Sequence, residues 1–275
     1  MAAKKKINIF NPGRGFVKAY DYSVSGLSVT PGCAFGCLYC YSPTILHKSL
    51  DDFKAGKDPK LEYDEWVAAL KEQAPKVAGH TVYANVMTDP YQPATRKFTR
   101  AMLWAFLSFG LPSKFVLQTR SPLIVQDIDL LKRMKEVLRV NFTIETNDES
   151  VRKDFSPSAP GLEARWRAVD KLAEAGIPVC ITCTPTLPFS DKRVDWAERV
   201  NGISTLTHVV FQEFHNGSLT KTSPEAYGIA DRFGDHFKEG GYERLIQELA
   251  DILRVPVYDG MLGFAPDAPE VSSSD

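Results

Sequence analysis

Apolar positions along the chain switch between two periods. Short runs rich in Val, Ile, Phe, Thr and Tyr alternate with stretches whose apolar residues recur at helical spacing, and Pro, Gly or Asp marks most of the changes. The runs Gly26–Thr30, Thr81–Met87, Lys114–Thr119, Arg139–Thr146, Pro178–Thr184 and Thr207–Phe214 predict six strands. Six helices are predicted over about Leu61–Ala74, Ala94–Phe109, Asp127–Leu138, Leu162–Ala175, Asp191–Asn201 and Pro224–Lys238, and a seventh over Tyr242–Leu253. Leu162, Trp166, Val169 and Ala173 form one buried stripe, and Pro75 ends the first helix because its ring cannot continue the hydrogen-bond ladder.

Repeated β-α units with right-handed crossovers make a parallel sheet, which can stay doubly wound or curl into an open barrel. Strand parity chooses between them. In RVNFTIET, Val140, Phe142 and Ile144 form an apolar face while Asn141, Thr143 and Glu145 form a polar one. A strand covered by helices on both faces would be apolar throughout, so the polar face predicts a lumen that holds a polar ligand. Residues 1–25, with the stretch Asn11–Phe16, read as an N-terminal extension, 26–253 as the main domain, and 254–275 as a polar C-terminal tail.

Composition narrows the class. In 275 residues, 44% hydrophobic and 24% charged, there is no bias toward disorder, collagen or coiled coil. The longest apolar run, Ala101–Leu111, is short of the roughly 20 residues that span a bilayer. The start MAAKKKINIF lacks the apolar stretch of a secretion signal, so a cytoplasmic setting and no membrane partner are expected. Lys and Arg number 33 against 34 Asp and Glu, a net charge of −1 that does not favour nucleic acid as a partner.

Three of the five cysteines crowd into PGCAFGCLYCYSP, where Cys33, Cys37 and Cys40 are spaced C-x3-C-x2-C directly after the first predicted strand. Thiolates at that density are the usual ligands of an iron-sulfur cluster, and a cubane held by three leaves one iron open for chemistry. Gly32 and Gly36 let the backbone fold tightly around such a group. A structural zinc with His47 as fourth ligand, or plain buried cysteines, are the alternatives; zinc sites commonly pair two C-x2-C knuckles, and no second knuckle lies nearby.

This motif after strand one of a β-α array, with Tyr39 before the last cysteine, resembles the radical S-adenosylmethionine (SAM) superfamily. Within it the chain is similar to spore photoproduct lyases, on CLYCY, MTDPYQP (Met87–Pro93), QTRSPL (Gln118–Leu123) and ETNDESVRKDFSPSAP (Glu145–Pro160). The resemblance implies an α/β fold, an open partial (β/α)6 TIM-like barrel of the radical SAM type. It implies a 4Fe-4S cluster on Cys33, Cys37 and Cys40, SAM bound at the open iron, and an external electron donor of the flavodoxin or ferredoxin type. The implied activity is cleavage of SAM to a 5′-deoxyadenosyl radical that abstracts hydrogen from an organic substrate. Arg120 then matches a residue meeting the SAM carboxylate, Thr143 a hydroxyl near the cofactor, and Tyr39 and Tyr41 tyrosines used in radical transfer. Thr88, Asp89 and Glu145 join the cofactor-binding set. One position departs: the lyases carry a hydrogen-donor cysteine where this chain has Val86. The expectation is therefore a modifying or biosynthetic enzyme acting on a small molecule or peptide, with DNA repair and a non-catalytic metal-binding protein as the alternatives.

Three weaker signals complete the picture. Cys180 and Cys183 are three apart on one strand and fall on opposite faces, which aims Cys180 at the lumen with Thr182 and Thr184 as a candidate catalytic thiol. Asp89 and Tyr91 sit in a β-to-α loop suited to the SAM amino group, or equally to capping the next helix. His208, Glu213 and His215 read as satisfied polar residues, Phe211–Gly217 as a segment at the barrel mouth, and Lys4–Lys6 as a solvated tail.

Overall fold

The computed structural model describes residues 7–12, 20–24, 29–84, 87–213, 236 and 239–264. Eight strands form one sheet in sequence order: β1 (Phe10–Pro12), β2 (Tyr22–Val24), β3 (Thr81–Ala84), β4 (Lys114–Thr119), β5 (Leu138–Thr143), β6 (Val179–Cys183), β7 (Leu206–Phe211) and β8 (Val257–Asp259). β1 pairs antiparallel with β2, and every later pairing is parallel. β1 and β8 are the two edges, so the sheet is open.

Helices on the outer face include α1 (Ser42–Ile45), α2 (Leu50–Ala55), α3 (Tyr63–Gln73), α4 (Arg96–Phe109), α5 (Ile128–Arg133), α6 (Glu149–Phe155), α7 (Leu162–Glu174) and α8 (Arg193–Asn201), followed by Gly241–Ala250. The apolar stripes of α3, α4, α5, α7, α8 and the last helix pack against the outward residues of the strands, among them Val82, Leu117, Val140, Phe142, Val179, Ile181 and Val209, in one continuous core, while Phe53 of α2 packs with the cysteines and Val151 and Phe155 of α6 with Leu187. The burial of this interface is the main stabilising contribution to the fold. The inward face carries a small separate cluster of Tyr20, Tyr83, Val116, Cys180, Val210 and Phe264. Asn141 and Thr143 are buried on that inner face, as strand parity requires.

Three sequence expectations shift. The first parallel pairing is made by β2, whose Tyr22–Val24 pairs with Val82–Ala84; of the run Gly26–Thr30 only Val29 and Thr30 are among the described residues, and the Thr30 hydroxyl donates to Gly32 O at 2.9 Å as the chain enters the cysteine loop. The helix expected over Asp127–Leu138 is shortened to α5, a 3-10 turn, Pro122–Asp127, precedes it, and Leu138 opens β5 by pairing with Phe115. The sheet also takes in β1 and β2 before residue 26 and β8 after residue 253. Of the helix expected over Pro224–Lys238, only His236 is among the described residues, and Val86, Phe214–Gly217 and Lys4–Lys6 lie outside them.

Candidate active site

The cysteine loop sits at the C-terminal ends of the parallel strands, where the β-to-α loops gather. Its path is fixed by backbone bonds that its own sequence cannot supply. Cys33 N–H donates to Phe53 O at 3.2 Å and Leu38 N–H to Phe155 O at 2.8 Å. Gln92, in the loop after β3, accepts from Ala34 N–H at 2.7 Å and donates to Thr30 Oγ1 and Gly32 O, both at 3.2 Å. A Cβ at Gly32 would overlap the Phe53 carbonyl oxygen, and Gly36 has φ +51°, so both positions call for glycine.

Cys33, Cys37 and Cys40 are free thiols packed in one cluster with Phe35, Phe53 and Ala159. Burial pushes Cys33 up to about 12, with the Asp89 charge adding to it, and burial also raises Cys40. Among the described residues no three His, Cys, Asp or Glu side chains surround a single point closely enough to chelate one ion. Three thiols of one tight loop, shielded by two phenylalanines and facing a guanidinium, fit a sulfur-ligated cluster, whose irons supply the charge that buried thiolates need.

That guanidinium belongs to Arg120, just past β4. Its Nη1 lies 3.2 Å from Cys37 Sγ and 3.2 Å from Glu145 Oε1, and it also bonds the Tyr39 hydroxyl. Tyr39 in turn donates to Glu145 Oε1 at 2.7 Å. Ser156 Oγ donates to the same oxygen at 3.3 Å, and Arg165 Nη1 meets Glu145 Oε2 at 2.5 Å. Burial pushes the Glu145 carboxyl up, but Arg165 and Arg120 outweigh it and hold it at about 2. Arg120 thus brings a buried cation to within hydrogen-bond distance of a cysteine, with Asp89 and Glu145 as the carboxylates that flank it. Burial likewise opposes charge on Arg120, and Cys37, Tyr39 and Glu145 together keep it firmly cationic. Arg165, Ser156 and Gln92 escaped the sequence reading as site residues. Ser156 and Gln92 lay inside the motifs already noted; Arg165 stands on the buried stripe of α7, where an arginine between Leu162 and Trp166 was itself a signal.

The other expected residues are distributed less evenly. Asp89 is raised by burial, and its carboxylate is already engaged: Oδ1 accepts from Thr119 Oγ1 at 2.7 Å and Tyr91 N–H at 2.8 Å, and Oδ2 from Arg120 N–H at 2.9 Å. Asp89 thus ties the loop after β3 to the end of β4 and keeps Arg120 in place. α4 starts only at Arg96, with Thr95 at its N-cap, so Asp89 does not cap it. Thr88 lines a cavity of about 20 Å³ with Val24, Trp66, Phe98 and Met102, its hydroxyl buried and unpartnered. The Tyr91 ring is buried in the main core. Thr143 pairs with Thr182 across the inner face, Oγ1 to Oγ1, at 3.1 Å. Tyr41 precedes α1; burial raises its phenol, and Cys40 and Tyr20 raise it further. Cys180 lies on the inner face and is pushed up to about 12 by burial, while Cys183 faces the other way and bonds Ile144 O at 3.0 Å.

The Radical SAM superfamily model matches residues 27–200, and the chain belongs to that superfamily. Uncharacterized protein MJ0683 of Methanocaldococcus jannaschii is 24% identical over 238 residues, 81% of this chain and 83% of that protein. Uncharacterized protein ORF301 of Acidianus two-tailed virus is 28% identical over 180 residues, 62% of this chain, and the match spans 59% of the viral protein. Among solved structures, spore photoproduct lyase complexed with dinucleoside spore photoproduct superposes with a TM-score of 0.58 at 15% identity, covering 93% of this chain and 79% of that one. Streptococcus suis SuiB bound to S-adenosylmethionine gives 0.58 at 12% identity, covering 88% and 52%. These likenesses show a shared fold. The chain is a radical SAM enzyme, a family whose members use a 4Fe-4S cluster and SAM, and among the described residues no helix is long and apolar enough to cross a membrane.

Proposed function

We propose that Cys33, Cys37 and Cys40 ligate a 4Fe-4S cluster and that Arg120 receives the SAM carboxylate beside it. The observation that carries this reading is Arg120 Nη1 at 3.2 Å from Cys37 Sγ, with Glu145 behind it shared with Arg165. A buried cation next to a cluster ligand is suited to an anionic partner, and a guanidinium pairs with a carboxylate through charge-assisted bonds. When bound at these residues, the two groups would supply the superfamily's chemistry, reductive cleavage of SAM for hydrogen abstraction from an organic substrate.

The protein's own side chains orient and shield. Glu145, held by Arg165, fixes the guanidinium of Arg120; Asp89 fixes its backbone; Tyr39 closes the gap to the cysteine loop. Tyr41 and Cys180 are the side chains we assign to radical transfer, Cys180 from the inner face of β6. The lumen walls above it, Gln118, Asn141, Thr143 and Thr182, are polar and uncharged, which suits a neutral organic substrate such as a small molecule or peptide. A cytoplasmic setting with a flavodoxin or ferredoxin donor follows from the same reading.

Anaerobic reconstitution should load about four iron per chain with absorbance near 400 nm, and replacing the three cysteines with Ala should abolish it. Reduced protein should then form 5′-deoxyadenosine from SAM. One tightly held zinc and no iron in anaerobically purified protein would sink the proposal. Incubation with dinucleotide spore photoproduct tests the substrate: no thymidylyl-thymidine is expected, and efficient repair would replace a small molecule or peptide with DNA.

A further inference from the structure

The inner face of the sheet is closed from below by the chain's own C-terminal segment. After β8 the chain turns at Gly260 and makes one 3-10 turn, Met261–Phe264. Two residues near the starts of their strands grip that turn by its carbonyls. Arg139 Nη2, on β5, donates to Phe264 O at 2.8 Å, and His208 Nε2, on β7, bonds Gly263 O at 3.0 Å. Gly263 is wedged tightly: a Cβ there would lie 2.7 Å from Tyr258 Cβ and 2.8 Å from both Val210 methyls. The grip and the wedge together deliver the Phe264 ring into the inner cluster, edge-on to Tyr83 at 6.5 Å between centroids and packed with Val116, Cys180 and Val210.

The cysteines and Arg120 stand at the opposite end of the same strands. Between the two ends the inner walls change character with height. Below are Val116, Cys180 and the Phe264 ring; above are Gln118, Asn141 and the Thr143–Thr182 pair, and beyond β6 lies Thr184, whose hydroxyl is buried and unpartnered.

We infer that Met261–Phe264 is the floor of the substrate cavity and that Phe264 sets how far a ligand can reach into the lumen. The inference rests on the reading that substrate enters this lumen. The ligand it fits has an apolar end directed at Phe264 and neutral hydrogen-bonding groups at the level of Thr143, Thr182 and Thr184. A longer ligand is refused by the aromatic ring.

The test uses iodoacetamide as the probe and needs neither SAM nor turnover, so it stands whether or not the chemistry proposed above does. Cys180 packs against Phe264 on the inner face, and Cys183 lies in the outer core of the same strand. Alkylation of each is followed by mass spectrometry of peptides from the reconstituted protein. Wild type should protect both. Phe264→Ala should let Cys180 react at least about tenfold faster while Cys183 stays protected, since thiol reactivity follows access. Gly263→Val, which expels the turn without altering a lumen side chain, should do the same. Unchanged Cys180 alkylation in both variants overturns the inference. Alkylation of Cys183 in step with Cys180 also overturns it, because the turn would then hold the whole fold together and no cavity in particular.

Discussion

The Tyr39 phenol donates to Glu145 Oε1 at 2.7 Å, and that bond joins the cysteine loop to the end of β5. Glu145 is fully buried and is shared by Arg120 and Arg165. Removing its charge leaves two buried guanidiniums without their counter-charge, a loss of the kind that costs about 3–5 kcal/mol. Glu145→Gln should therefore lower the thermal midpoint by roughly 10 °C, given about 2–4 °C per kcal/mol in chains of this size. Arg165→Met should act in the same direction, and the double variant should lose less than the two single losses combined, as coupled neighbours do. Calorimetry of the four proteins decides it; additive losses would show that the pair is not coupled.

Arg120→Ala should weaken SAM binding by about 10- to 150-fold, the effect of deleting a charge-assisted contact of ~1.5–3 kcal/mol. Anaerobic titration of the reconstituted protein measures it. Equal affinity in wild type and variant would remove Arg120 from the cofactor site.

Gly32→Ala tests the packing of the cysteine loop alone. The added methyl meets backbone, the Phe53 carbonyl on α2, so a side-chain rotation cannot relieve it. Reconstituted iron should fall well below the wild-type content while far-ultraviolet circular dichroism stays the same. Full iron loading in the variant would mean that the loop has more room than this geometry allows.

His208 gives the fold an acid limit. Burial, with help from the Arg139 charge, holds it down at about 4 against an ordinary 6.5, although its bond to Gly263 O pulls the other way. The folded chain keeps it neutral where the unfolded chain takes up a proton. Its stabilising contribution is therefore complete above pH 6.5, is lost as the pH falls from there to about 4, and changes no further below. At full extent this is on the order of 3 kcal/mol. Urea unfolding of wild type and His208→Asn across that window should show a shallower acid decline in the variant. His236, lowered to about 4 in the same way, is common to both proteins, so parallel curves would exclude His208 as a source.

Much of this molecule was legible before its structure. Lys114–Thr119 is a strand with the residues expected, and Val140, Phe142 and Ile144 do turn to the helices while Asn141, Thr143 and Glu145 turn away, because a period of two leaves a strand no other choice. The C-x3-C-x2-C spacing carried the site for a similar reason, since ligands close in sequence need little help from the fold to be close in space. What sequence could not supply were partnerships across distance. Arg165 finds Glu145 from 20 residues away on another element, and nothing local distinguishes it from a solvated helix arginine except its apolar neighbours. Thr88 follows the same rule in reverse: the resemblance grouped it with Asp89, and in the fold it lines a small cavity against α4. Strand β8 was lost because three residues, VYD, carry too little pattern to rise above a tail.

In β5, the residues that hold the protein together and those that face its chemistry alternate one by one. Val140 and Phe142 anchor the helices; Asn141 and Thr143 line the cavity; Glu145 continues that line into the arginine pair. A slip of one residue against β4 or β6 would therefore exchange the two sets together, sending a carboxylate toward the helices and phenylalanine into the lumen. A misregistered chain could not persist as a stable but inactive protein. In this strand, correct pairing is the common condition of folding and of having an active site at all.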